Sequence, residues 1–270
     1  MSETASDRSP HAAHGDDAHG HGASGIDYGS YLRLTELLEL QTLQSSPEHP
    51  DELLFIVVHQ ASELWFKVLR HEMDTMITAL EAFDTMRALL AVQRVNVLTE
   101  IVAQQLTALD TLPPQRFAQF RGYLGSSSGS QSAQFRAIEA TAGLRDPHFL
   151  AAITEHGEPP AVVTEALARP VLQSLVLALI AHEKMDLAEL YMGPGPTPLF
   201  LLVEGLLEFE QRFARWRFLH VQLVERIIGP GTFGTGGTLG AKYLSRTMSH
   251  RFFPELWAVR AQFYGKATAK

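Results

Sequence analysis

Among the residues able to do chemistry, His220 occupies the most informative place. Phe213, Trp216, Leu223, Val224 and Ile227 recur at intervals of three and four, the period of one helix face, and His220 falls on that line. Arg212, Arg215, Arg217 and Arg226 lie mostly off it. An imidazole on an apolar stripe faces packed interior or a cofactor. With no cysteine in the chain, it suits axial ligation of haem iron; the other reading is a core histidine satisfied by one hydrogen bond. A second histidine, His59, has Phe55 four residues before it and Glu63 four after. That spacing stacks all three along one helix face, and inside a hydrophobic helix both polar groups need partners. Arg121 follows Phe117 by four and stands beside the serine and glycine run Gly125–Ser130. Its guanidinium fork can anchor a carboxylate or phosphate, or form an ordinary surface salt bridge. Thr235 adds a hydroxyl within the glycine-rich GTFGTGG, Gly231–Gly237.

Composition narrows the partners. The 270 residues are 46% hydrophobic and 19% charged, enough for a substantial core. A net charge of -8 disfavours nucleic acid and anionic membrane, so a small molecule is expected. Lack of cysteine removes disulfides, thiolate metal sites and cysteine nucleophiles, leaving histidine, carboxylate and tyrosine as metal ligands. The first residues are polar, without a signal peptide, and no uninterrupted apolar run approaches a bilayer span. A cytoplasmic protein is expected.

The elements that must position these residues read as helices. Residues 1–25 form a low-complexity tail with His11, His14, His19 and His21, expected to be disordered and without a specific metal role. Residues 26–270 are expected to form one domain. It opens with Tyr28, Tyr31 and Leu32 at helical spacing, ahead of an amphipathic run holding Leu34, Leu37, Leu38 and Leu40. Pro47, Pro50, Asp51 and Glu52 mark a helix start, and residues 51–112 contain neither glycine nor proline. That length predicts two helices with a joint near Phe83–Thr85, capped by Asp84. The first, LLFIVVHQASELWFKVL, is apolar nearly all round and reads as a buried central helix. Helices are further expected over Ser132–Thr141, from about Pro170 to Tyr191, from near Leu199 through His220, around Tyr243, and over a last segment holding Phe252, Phe253, Leu256, Trp257 and Phe263. No alternating strand pattern and no internal repeat emerge. The fold class is all-α.

Several chemistries lack their parts. No glutamate is followed by histidine three residues later, which disfavours a dimetal carboxylate bundle. HExxH and the P-loop are missing, GSSSG at Gly125–Gly129 follows no strand and so forms no nucleophile elbow, and GTFGTGG follows a helix rather than a strand.

What remains resembles the tryptophan 2,3-dioxygenase family. The likeness is carried by YGSYLRL, by DELLFIVVHQASELWFK at Asp51–Lys67, by FAQFRGYL and SSGSQSAQFR between Phe117 and Arg136, by WRFLHVQLVERIIG at Trp216–Gly229, and by GTGGTLGAKYL at Gly234–Leu244. The resemblance implies that His220 is the proximal ligand of haem b. It implies that His59 hydrogen-bonds the indole nitrogen of L-tryptophan and Phe55 packs on the indole, with Ile56, Val57 and Val58 in the same substrate-binding stretch. Arg121 then pairs with the substrate carboxylate, Phe117 walls the pocket where some members carry tyrosine, and Thr235 contacts the amino acid's polar end. Ser128 and Gly129 match residues beside the haem on the distal side. Tyr28, Tyr31 and Leu32 match a segment that reaches into a neighbouring subunit's pocket, within a homotetramer. The implied reaction inserts both atoms of dioxygen across the indole pyrrole double bond, yielding N-formyl-L-kynurenine in tryptophan catabolism.

Three departures stand out: Ser130 replaces the phenylalanine of the usual GFQS, Glu225 stands where many members have a second histidine, and the Ile228–Thr235 connection is one residue longer. A haem-binding oxygen sensor would need His220 but not Arg121 or Thr235, and a cofactor-free helical scaffold would need none of them.

Overall fold

The computed structural model describes residues 25–145, 151, 154, 157–193, 195–232, 234 and 248–264. Among them there are helices and turns and no strand. Two compact units are distinguished, Met1–Leu40 and Gln41–Lys270. The tail histidines, Thr235 and the helix expected around Tyr243 lie outside the described residues.

In the first unit, α1 (Tyr28–Leu32) and α2 (Leu34–Leu38) are two short helices rather than one run. Arg33 takes a left-handed conformation between them, φ 52°, and a left-handed residue ends a helix. Asp27 caps α1 through a capping box with Ser30.

The second unit is built on three long helices. α3 (Glu52–Glu81) and α4 (Thr85–Leu109) form a hairpin, and α10 (Pro198–Ile228) lies along α4. The joint falls where the absence of breakers in so long a stretch requires one. Phe83 adopts φ 55°, and the Asp84 carboxylate accepts the Arg87 backbone N–H at 2.9 Å. Smaller helices complete the frame: α5 (Pro114–Arg121), α6 (Ala133–Ala142), α7 (Ala161–Ala168), α8 (Leu172–His182), α9 (Leu187–Met192) and α11 (Pro254–Tyr264).

Several expectations are changed or refined. The helix expected over Pro170–Tyr191 is α8 and α9, because Lys184 turns left-handed at φ 58°. One stretch, Ala161–His182, is apolar enough to cross a membrane by composition, but Arg169 is extended and Pro170 follows it, dividing it into α7 and α8. α3 is not buried all round: Leu53, Val57, Leu64 and Val68 share an exposed face, whereas Phe66, Leu69, Met73, Met76, Ile77 and Leu80 enter the core. Phe252 and Phe253 precede α11 instead of belonging to it.

Polar anchors hold this frame. Glu210, buried on α10, accepts the Phe252 and Phe253 backbone N–H groups at 2.8 and 2.9 Å, Trp257 Nε1 at 2.8 Å and Arg251 at 2.9 Å. One carboxylate thereby satisfies the entry to α11. At the start of α3, Glu52 accepts Gln44 N–H at 2.8 Å and Ser45 N–H at 3.0 Å, tying down the segment before it. Burial would raise the Glu52 pKa, but the hydrogen bonds from Ser45 and Gln44 outweigh it and leave it lowered.

The approach of α4 to α10 depends on Gly205. A Cβ at this position would lie 2.8 Å from Cγ1 of Val92, which is fully buried, and Asn96 donates to the Gly205 carbonyl at 3.0 Å. Gly205→Ala is therefore expected to destabilise the protein by about 1–3 kcal/mol through overpacking, despite alanine's better helix propensity. Urea unfolding checks this, with partial recovery expected in Gly205→Ala/Val92→Ala; a more stable Gly205→Ala contradicts the close packing.

Candidate active site

The site lies at the end of the bundle where the N-terminal half of α3, the C-terminal halves of α4 and α10, and α5 meet. Val58, Leu106, Leu109 and Leu223 form one apolar cluster with Leu54, Phe55, Trp216, Leu219 and Ile227 against it. Leu112, Phe117 and Phe120 form a second, joined to the first by Phe55 and Ile227. Phe55 is the hinge of both clusters.

Helical spacing brings the expected aromatic and imidazole groups together. The Phe55 ring lies 4.2 Å from the His59 ring, 5.5 Å from Phe117 and 5.9 Å from Phe120. Phe117 and Phe120 meet edge to face at 5.3 Å, a favoured aromatic arrangement. Phe120 was not singled out from sequence, although it follows Phe117 by three residues, the spacing of a shared helix face.

His59 Nδ1 lies 2.7 Å from the Phe55 carbonyl oxygen. A carbonyl only accepts, so Nδ1 carries the proton and donates, and neutral His59 keeps its lone pair at Nε2. The ring has an open edge, yet the protein around it lowers its pKa by desolvation, against the opposing pull of the Phe55 hydrogen bond and of Glu63. Glu63 is held in turn: Gln134 Nε2 donates to its carbonyl at 2.8 Å and to its carboxylate at 3.0 Å. His59 is thus a neutral acceptor set beside a phenylalanine wall.

His220, half-buried on α10, has its pKa pushed down to about 4 by burial first and by the nearby His59 second. The two imidazoles are therefore within electrostatic reach of each other. Its ring stacks on Trp216, with centroids 5.1 Å apart and planes 17° from parallel. Neither ring nitrogen of His220 hydrogen-bonds to any of the described residues. A neutral imidazole with an unengaged nitrogen suits a borderline metal such as iron, and the donor set fits a single axial histidine. Among the described residues no group of three histidine or carboxylate side chains could hold a bare metal ion.

The remaining residues fall in separate places. Arg121 ends α5, half-buried, and already makes an interaction of its own. Ser128 caps the 3-10 turn Gly129–Gln131: its Oγ lies 2.9 Å from Ser130 Oγ, and its N–H donates to Gln131 at 3.2 Å. Ser130 thus completes a hydroxyl pair in the loop. A Cβ at Gly129 would meet nothing within 4 Å. Val58 packs into the apolar cluster, Ile56 is half-buried, and Val57 is exposed. Tyr28, Tyr31 and Leu32 belong to the first unit and expose their side chains. Glu225 is exposed near the end of α10, where its carbonyl accepts the capping Gly229 N–H at 2.9 Å.

The arginine expected off the apolar stripe, Arg217, is buried. Its Nη2 donates to Glu139 of α6 at 2.8 Å, and its guanidinium lies over the rings of Phe213 and Phe252. The sequence signal was spacing: Arg217 stands four residues after Phe213.

The protein-family model described as tryptophan 2,3-dioxygenase matches residues 12–156 and 188–263. The chain is 39% identical over 261 residues to the tryptophan 2,3-dioxygenase of Kineococcus radiotolerans, covering 88% of this chain and 91% of that protein. It is 40% identical to that of Herpetosiphon aurantiacus, with 87% and 98% covered, and 35% identical to that of Bacillus anthracis, with 88% and 92% covered. The unmatched interval, 157–187, carries α7 and α8 and none of the site. With Phe55, His59, Phe117 and His220 brought together in the matched ranges, the chain belongs to the tryptophan 2,3-dioxygenase family.

Proposed function

We propose that the protein is a haem-dependent dioxygenase converting L-tryptophan and dioxygen to N-formyl-L-kynurenine, with haem b held by His220. The observation that carries this reading is the pairing of two neutral imidazoles of opposite engagement. His59 has its Nδ1 proton committed to Phe55 at 2.7 Å, while His220 has no hydrogen-bond partner among the described residues.

When bound, haem supplies the iron chemistry that activates dioxygen. The indole C2=C3 bond breaks and two C=O bonds form, so both oxygen atoms enter the product and no external reductant is consumed. The chain's own residues bind and orient. Phe55 and Phe117 offer an apolar wall matched to an indole. His59 accepts the indole N–H through Nε2 and fixes the ring's rotation. It is not assigned proton removal, because an indole nitrogen is a very weak acid and transfer to imidazole is steeply uphill. Arg121 pairs with the substrate carboxylate, and Thr235 contacts the polar end. Ser128 and Gly129 adjoin the cofactor, and Ile56 and Val57 extend the substrate-side stretch of α3. The family relationship supports a homotetramer in which Tyr28, Tyr31 and Leu32 of one subunit complete a neighbour's site, in keeping with their exposure of 75%, 74% and 39%.

His59→Ser is expected to reduce turnover while leaving measurable activity and an intact haem spectrum; complete loss with haem retained contradicts an orienting role. Arg121→Ala is expected to raise KM by about 30-fold, the effect of losing about 2 kcal/mol from an enclosed charge pair. An unchanged KM overturns that assignment. Both histidine pKa values are lowered, so neutral imidazole persists as pH falls, and each function fails only when protonation overtakes it. The acid limb of kcat/KM is therefore expected below the ordinary histidine value of about 6.5. Soret absorbance is expected to persist below pH 5, because the His220 nitrogen stays neutral down to about 4 even before iron competes for it. Haem release centred near 6.5 contradicts the buried environment of His220.

A further inference from the structure

Trp216 carries a group that the reading above does not use. Its indole Nε1 is buried and has no hydrogen-bond partner among the described residues. A buried indole N–H ordinarily finds an acceptor, and leaving one unmet is costly. The ring cannot readily turn to find one. Phe135 lies 4.8 Å away, Phe213 6.0 Å, and Phe66 meets it edge-on at 6.5 Å. His220 stacks on it as well, at 5.1 Å and 17°.

His220 shows the complementary deficit. A metal-bound histidine almost always donates its second ring nitrogen to a carboxylate, carbonyl or water, which fixes the ring about the metal–nitrogen bond. No described residue supplies that acceptor. Among the described residues the ring stacked on this imidazole is Trp216, itself packed against Phe135 of α6, the helix that follows the Ser128–Gly129 loop.

We propose that Trp216 is a positioning residue for the iron ligand: its ring face sets the rotation of the His220 imidazole, and its Nε1–H binds an acceptor that arrives with the cofactor, of the class of a peripheral carboxylate. The inference rests on His220 ligating haem. It requires no titration and no added reactant. Trp216 thereby joins two requirements, since the same clamped ring orients the ligand and holds the cofactor's edge.

Two variants separate these parts in the holoenzyme. Trp216→Phe keeps an aromatic face and removes only the N–H, whereas Trp216→Leu removes both. Far-UV circular dichroism and thermal unfolding establish that each is folded. The readouts are the iron–histidine stretching band in the resonance Raman spectrum of the ferrous protein, and the rate at which haem passes to an excess of apomyoglobin. Trp216→Phe is expected to keep the wild-type band and lose haem about tenfold faster, the effect of one lost hydrogen bond to a charged acceptor. Trp216→Leu is expected to shift or broaden the band as well. An unchanged band in Trp216→Leu overturns positioning by the ring face, and an unchanged haem-loss rate in Trp216→Phe overturns the cofactor bond. A wild-type spectrum lacking the iron–histidine band defeats His220 ligation itself, a different failure from either.

Discussion

The buried ion pair between Arg217 and Glu139 is the constraint around which the site is organised. Glu139 is 1% exposed and Arg217 3%, so both charges have left water, and each needs the other. Glu139 takes a second cation from Arg136 at 2.8 Å, while Arg217 lies between two phenylalanine rings. A pair so deeply placed adds little net stability over a well-packed apolar pair, but removing one partner costs about 3–5 kcal/mol because the other is stranded. Its value here is register. Arg217 is three residues before His220 on α10, and Glu139 is on the helix that follows the Ser128–Gly129 loop. Sliding α10 past α6 would strand the charges, so His220 and that loop are fixed by one contact.

The same logic recurs along α10. Glu210 gathers three donors from the segment entering α11 and a fourth, Trp257, from α11 itself, and Glu204 is bound by both Tyr191 and Arg260. Burial first, and the carboxylate second, push the Tyr191 hydroxyl well above its usual range, so it stays protonated as a donor. Helix α10 therefore carries apolar residues for packing against α4 and polar residues that specify which short helix sits where. Gly205 lets the two long helices approach, and the anchors fix their neighbours. Rigid elements placed this way bring histidines from two different helices within electrostatic reach.

Much of this was legible in sequence because periodicity is a local signal. The unbroken stretch 51–112 required a joint, and Asp84 caps α4 where expected. The spacing Phe55, His59, Glu63 placed three groups on one face, and the structure stacks Phe55 on His59. Pairings between distant elements were not legible. Arg217 reads as one arginine among several because nothing in its neighbours announces Glu139, 78 residues away. Lys184 and Arg33 break helices by adopting left-handed conformations that glycine or asparagine more often signals. The exposed face of Leu53, Val57, Leu64 and Val68 on α3 likewise looked like core, since an apolar stripe in sequence does not say what covers it.

The central claim, that His220 ligates a haem beside a site built for L-tryptophan, is tested most directly by anaerobic absorption spectroscopy of the reduced protein with and without L-tryptophan, followed by admission of air. The account predicts a haem band that shifts on adding L-tryptophan, and formylkynurenine absorbance that grows once oxygen enters. A haem band indifferent to L-tryptophan contradicts the substrate site, and protein free of haem after expression with ample haem supply contradicts the role of His220.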